Sequence, residues 1–137
     1  MDATKRVLFL KKIHLFRELN DNQLLEVAEK FSEESFDVGD VILEQGVLAD
    51  SFYLIYSGKV RVYRRRDRQE QKLATLVGGD YFGEMEILGK RGPRSASVSA
   101  VEATIVLSLS GDDFSEILKE FLELVKIIKV LGHGLKD

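Results

Sequence analysis

Cysteine and tryptophan are absent from this sequence, and proline occurs once, at Pro93. Without thiols there is no disulfide framework, no thiolate zinc site and no cysteine-held iron–sulfur cluster. That fits a reducing cytoplasm, the compartment expected for the chain. Histidine is nearly as scarce: His14 and His133 lie near opposite ends, and two distant imidazoles do not make a metal triad. Long apolar runs are missing too. Val7-Leu8-Phe9-Leu10 is interrupted by Lys11-Lys12, too short for the core of a signal peptide, and no run approaches the length of a bilayer span. Nor is there an excess of positive charge. The 20 basic and 23 acidic residues leave a formal −3, with no long-range pull toward nucleic acid or anionic lipid, so direct nucleic-acid binding by this domain is not expected.

What is present suits one globular domain over residues 1–137. Hydrophobic residues make up 45% of the chain, with eight Phe and four Tyr, enough for a sizeable core and against disorder. The hydrophobic period changes twice. From about Val7 to Phe31 it is helical, with Leu24, Val27, Ala28 and Phe31 on one face. Asn20, with Gln23 three residues on, reads as the N-cap of a capping box. From about Ser35 to Leu109 the period shortens to two. Short runs such as Val41–Leu43, Phe52–Tyr56, Val60–Val62 and Leu73–Val77 are separated by Gly and Asp, which suggests an antiparallel sandwich or barrel. From Asp112 the helical period returns through Phe114, Ile117, Leu118, Phe121, Val125, Ile128 and Leu131, with Ser110 or Asp112 as cap and Gly132 and Gly134 as stop signals. The expected plan is therefore helices over 1–34, a β unit over 35–110 and helices over 111–137. Arg64-Arg65-Arg66-Asp67-Arg68 reads as a solvated hairpin tip; its sharper reading is a contact for a partner or another domain.

The chemistry concentrates between Tyr81 and Val98. Gly83 permits close backbone approach to a ligand, and amides at the start of the turn that follows would form an anion cradle. Arg94 supplies a permanently charged fork for two phosphate oxygens. Ser95 adds a hydroxyl and an N–H, and Glu84 is an acceptor suited to a sugar hydroxyl. One acid, one arginine and a cradle of amides describe a site for a sugar phosphate carrying a single negative charge.

Phe82-Gly83-Glu84, followed at the right separation by Pro93-Arg94-Ser95-Ala96-Ser97-Val98, resembles the phosphate-binding cassette of the cyclic-nucleotide-binding domain family. The resemblance extends over nearly the whole chain: Phe16–Leu24 to the N-terminal helices, Val38–Gly46 to the first hairpin, Ser51–Val62 to the central strands, and Thr104–Phe114 to the last strand and hinge helix. It implies a mainly β fold, an antiparallel jelly-roll barrel with helices at both ends. It also implies that Glu84 holds the ribose 2′-hydroxyl and Arg94 the cyclic phosphate. Gly83, Met85, Glu86, Ser95 and Ala96 would complete the cassette beside Phe82, while Val62, Ala74 and Leu76 line the base side. The C-terminal helix would close over the base near Ile128 or Leu131, and related domains dimerise along that helix. Glu86 departs from the family, which often has a small residue there; a carboxylate aimed at a phosphate would repel it.

The function expected from these residues is a regulatory sensor without a resident cofactor, whose ligand is cAMP, with cGMP as the alternative. Binding would be passed through the C-terminal helix to an output domain or partner. A second reading is an interaction domain of the same fold that has lost its ligand, hinted at by Glu86. An enzyme is least supported, because no metal cluster and no paired nucleophile and base stand out; the metal-dependent enzymes that share the jelly roll need clustered histidines.

Overall fold

The computed structural model describes residues 1–84 and 92–120. Three N-terminal elements come first: α1 (Ala3–Lys11), a 3₁₀ turn (His14–Phe16) and α2 (Asp21–Lys30). Asn20 caps α2 as its sequence predicts: its side chain accepts from the Gln23 N–H at 2.9 Å, and the Gln23 side chain accepts from the Asn20 N–H at 2.8 Å. The helix stops one residue before the end of its apolar stripe. Phe31 is extended but stays buried, so the chain leaves the helix without giving up that contact. The first strand, β1 (Ser32–Phe36), then opens ahead of the expected Ser35. Four of its five residues are exposed, so Ser-Glu-Glu-Ser carries no alternation from which to read a strand.

Seven more strands follow: β2 (Val41–Leu43), β3 (Ser51–Ser57), β4 (Lys59–Arg66), β5 (Gln69–Val77), β6 (Tyr81–Phe82), β7 (Ser97–Ala100) and β8 (Thr104–Ser110). They form two four-stranded antiparallel sheets, ordered β1-β8-β3-β6 and β2-β7-β4-β5, the layered jelly roll that the sequence implied. A helix, α3 (Gly111–Glu120), leaves β8 directly. Of its two candidate caps, Ser110 takes the role, its hydroxyl accepting from the Asp113 N–H at 3.1 Å.

β3 explains the layering. Phe52 and Leu54 face the helices, where they join Leu10, Leu24, Val27, Leu107, Leu109, Phe114 and Ile117 in one core. Tyr53 and Ile55 point the other way, into a second core between the sheets with Val60, Leu76, Phe82, Val98 and Val106. A strand buried on both faces needs a continuous apolar run rather than an alternating one, and Phe-Tyr-Leu-Ile supplies it. Phe114 of α3 stacks on Phe52, ring centroids 4.6 Å apart and 6° from parallel, which ties the C-terminal helix to the central strand. The β4–β5 hairpin closes on Asp67-Arg68, both with positive φ (54° and 66°). That is the two-residue turn whose twist matches a hairpin, and it puts the arginine run at an exposed tip, as expected. At Gly58 (φ +105°) a β-carbon would lie 2.4 Å from the Thr104 hydroxyl oxygen and 2.6 Å from the Ala103 carbonyl, so only glycine fits where β3 turns into β4. Among the described residues no helix is long and apolar enough to cross a membrane.

Candidate functional site

The site forms where the chain crosses from one sheet to the other, between β6 and β7. The loop joining β2 to β3 runs antiparallel beside this crossing. The Gly46 N–H donates to the Arg94 carbonyl at 2.9 Å, the Arg94 N–H to the Val47 carbonyl at 2.8 Å, and the Ala49 N–H to the Gly92 carbonyl at 3.1 Å. The backbone of Arg94 is therefore fixed on both sides. Gly83 has φ +91°, and a β-carbon there would stand 3.0 Å from the Ser51 carbonyl oxygen and 3.3 Å from a guanidinium nitrogen of Arg94. Glycine lets these three backbone segments meet.

A small cleft of about 60 Å³, open to solvent, lies against this junction. Eight of the residues singled out from the sequence line it together: Val62, Ala74, Leu76, Phe82, Gly83, Glu84, Ser95 and Ala96. Leu43 and Val98 line it as well and were not singled out. Val98 was legible as the end of the cassette motif. Leu43 was not, because it reaches the cleft through an irregularity in the β2–β7 pairing. Val62 and Ala74 face each other across β4 and β5, and with Leu76 they make an apolar shelf. Glu84, wholly buried, and Ser95, exposed, line the same cleft.

Arg94 occupies a different place. It is only 3% exposed, but it sits behind Gly83 and borders the neighbouring depression beside Asp50 and Tyr53. Its guanidinium donates to the Gly83 carbonyl at 2.7 Å and to the Ser51 carbonyl. These two bonds tie the guanidinium to the cassette and to β3. Met85 and Glu86 lie outside the described residues, as do the expected lid positions Ile128 and Leu131.

Aromatic rings hold the floor of the site. Tyr53 stacks on Phe82 with centroids 5.1 Å apart and planes within 11°. Burial, then the nearby Asp50 and Glu34 carboxylates, push the Tyr53 phenol above its ordinary range. Tyr81, next to Phe82, has its phenol pushed up to about 12, first by burial and then by Glu84. Among the described residues its hydroxyl has no hydrogen-bond partner. No group of three or more His, Cys, Asp or Glu among the described residues has the geometry to hold a metal ion.

The family model for the cyclic nucleotide-binding domain matches residues 33–121, a span that contains all of both sheets but Ser32, together with every described residue lining the cleft. The chain is a cyclic nucleotide-binding domain. It is 35% identical over 118 residues to a cAMP-dependent protein kinase regulatory subunit of Candida albicans, covering 86% of this chain and 25% of that protein. It is 33% identical over 120 residues to the cGMP-dependent protein kinase isozyme 1 of Drosophila melanogaster, covering 85% of this chain and 16% of that one. Among solved structures, the regulatory domain of Toxoplasma gondii PKA with cAMP superposes with a TM-score of 0.84 at 25% identity, over 93% of this chain and 49% of that one. The domain thus spans a quarter or less of the length of these two curated relatives.

Proposed function

We propose that this cyclic nucleotide-binding domain is a cAMP sensor and that binding is transmitted through its C-terminal helix. The observation that carries the proposal is the cleft itself, lined by a fully buried carboxylate, Glu84, and an apolar shelf. A carboxylate is a suitable acceptor for a ribose hydroxyl, and the shelf of Val62, Ala74 and Leu76 then takes the flat face of a base. Between the two common purines the shelf favours adenine. Guanine brings an additional carbonyl and an amine in a different pattern, and polar groups pressed against valine, alanine and leucine lose water without gaining partners. The Candida relative and the Toxoplasma structure carry cAMP in their names, and the Drosophila relative carries cGMP.

Arg94 is the phosphate partner in this reading. Two of its acceptors are the neutral Gly83 and Ser51 carbonyls, and a cyclic phosphate at the cassette would offer the same fork an anionic oxygen, a stronger acceptor than a carbonyl. A guanidinium drawn from the Gly83 and Ser51 carbonyls toward the ligand would loosen the bond between the cassette and β3. β3 carries Phe52, on which Phe114 of α3 is stacked, and this gives the helix a route by which to respond. A ligand shifts that equilibrium only by its difference in affinity for the two helix positions.

Calorimetry with cAMP, cGMP and AMP tests the reading. cAMP is expected to bind more tightly than cGMP, and AMP not to bind. Arg94→Ala should lose roughly 2–5 kcal/mol of binding, the cost of stripping one partner from a buried charge pair. Unchanged affinity in that variant removes Arg94 from the phosphate site, and equal or tighter cGMP binding reverses the base assignment. A folded protein that binds neither nucleotide would be the interaction domain without a ligand.

A further inference from the structure

The β4–β5 hairpin carries a charge that the ligand site does not use. Residues 59–72 hold seven basic side chains (Lys59, Arg61, Arg64, Arg65, Arg66, Arg68 and Lys72) against Asp67 and Glu70, a local +5 in a chain of −3 overall. The remainder of the chain is therefore −8. Glu70 is engaged by two of these arginines, pairing with Arg61 and lying 3.9 Å from Arg65. Arg65 is 75% exposed, and Arg66, Arg68 and Lys72 are exposed as well. Charge on an edge strand can merely discourage sheet-to-sheet aggregation, but one or two lysines suffice for that.

Two further features make this hairpin more than a solvated tip. β5 is the last strand of its sheet, and among the described residues no strand pairs with its outer edge. An extended segment can add to such an edge through backbone hydrogen bonds. The tip is also held from behind by the Gln45 side chain. Its amide donates to the Arg65 carbonyl at 3.2 Å and accepts from the Arg65 N–H at 2.8 Å, as a neighbouring strand would. The Gln45 N–H in turn donates to the Ser97 hydroxyl at 2.9 Å, and Gly46 is bonded to the Arg94 carbonyl. Two adjacent residues, Gln45 and Gly46, thus connect the arginine tip to both ends of the Arg94–Ser97 segment.

We propose that the β4–β5 hairpin is a docking surface for an acidic, extended protein segment, and that Gln45 couples its occupancy to the cassette. The occupant follows from charge: glutamates and aspartates on a short segment meet only the +5 hairpin. A long polyanion such as nucleic acid, or an anionic membrane, would also face the −8 of the remainder. The hairpin's described aromatic, Tyr63, is buried and bonded to Ser99, which leaves it no base to stack on. The coupling rests on the cyclic-nucleotide reading of the cleft; the docking surface does not.

Fluorescence anisotropy with the full chain tests both parts, using a labelled short peptide of alternating glutamate and threonine as probe. Binding is expected to weaken as salt is raised. The triple variant Arg65→Glu, Arg66→Glu, Arg68→Glu, all at exposed positions, should weaken it by at least about tenfold. No binding to the wild type, or equal binding to the triple variant, overturns the docking surface, as does tighter binding of a short DNA duplex or of phosphatidylserine vesicles than of the peptide. Salt-sensitive self-association that the triple variant abolishes, with no peptide binding, would assign the hairpin to a second copy and overturn it equally. For the coupling, saturating cAMP should change the peptide affinity in the wild type and leave it unchanged in Gln45→Ala, with the reciprocal effect on cAMP affinity required by linkage. If calorimetry shows cAMP bound while the peptide affinity does not move, the coupling falls. If cAMP does not bind at all, the sensor reading has failed and the peptide result stands by itself.

Discussion

Tyr81 is a phenol whose oxygen is buried without a hydrogen-bond partner among the described residues, and its proton is held by its surroundings up to about pH 12. In the unfolded chain a tyrosine gives up its proton near pH 10. The folded state therefore binds the proton more tightly, and the contribution is intact below pH 10. Between 10 and about 12 the unfolded chain ionises while the native phenol does not, so stability is lost as pH rises through that window. Tyr81→Phe should remove this loss, which is at most about 2 kcal/mol for a partly buried group. It should cost little at neutral pH, because it deletes an unsatisfied hydroxyl rather than a bond. Urea unfolding of both proteins at neutral pH and near pH 11 decides it: parallel losses of stability in the two would clear Tyr81 of any part. At this scale the sequence spoke unevenly. Gly83, Glu84, Ser95 and Ala96 were legible because one short motif carries them, and the cleft brings them together. The resting position of the Arg94 side chain was not, because it bonds the Ser51 and Gly83 carbonyls, backbone groups that every residue possesses and no motif marks.

Among the elements, α3 depends most on a single contact. Its Phe114 ring lies flat on Phe52 with Ile117 buried beside it, and among the described residues the helix packs on β3 and β8, with a Lys30–Glu116 ion pair to α2 at 3.7 Å. Phe114→Ala should cost about 3–5 kcal/mol in unfolding free energy. If α3 is the transmitter, the variant should still bind cAMP while its helix no longer responds, which amide exchange across 111–120 would register. Loss of stability with an unaltered exchange response would leave α3 as packing only. Elements were readable wherever they bury one face. α2 showed its stripe and its cap, and β4 and β5 showed their alternation. β1 did not, because its role is to satisfy the backbone of β8 from Ser32 to Phe36 while its side chains face water, and water imposes no pattern. The hairpin tip over 64–68 was legible from its charge run, but its two central residues, Asp67 and Arg68, were not, since arginine at positive φ runs against its usual preference.

For the molecule as a whole, a ligand that binds only the folded state raises stability by mass action. At a hundredfold excess over its Kd, cAMP should add about 2.7 kcal/mol, and for a domain of this size the melting temperature should rise by roughly 8–10 °C. Differential scanning fluorimetry checks this against AMP, which should leave the transition where it is; equal shifts from both would point to a site that does not read the cyclic phosphate. The pairing of the sheets has a separate consequence, for the chain during its own synthesis. Ser32 of β1 is matched with Ser108 of β8, and β3 also waits for β8 along one of its edges. At ribosomal speed the 76 residues between those partners take roughly 4–15 s to be made. For most of that interval Phe52, Leu54 and Ile55 have been translated but lack the strand that will cover their edge. The basic hairpin, whose two strands are neighbours in sequence, closes within microseconds of emerging. A nascent chain of this protein therefore shows its arginine tip long before it hides its most adhesive strand, and that strand is where a chaperone would be expected to hold it.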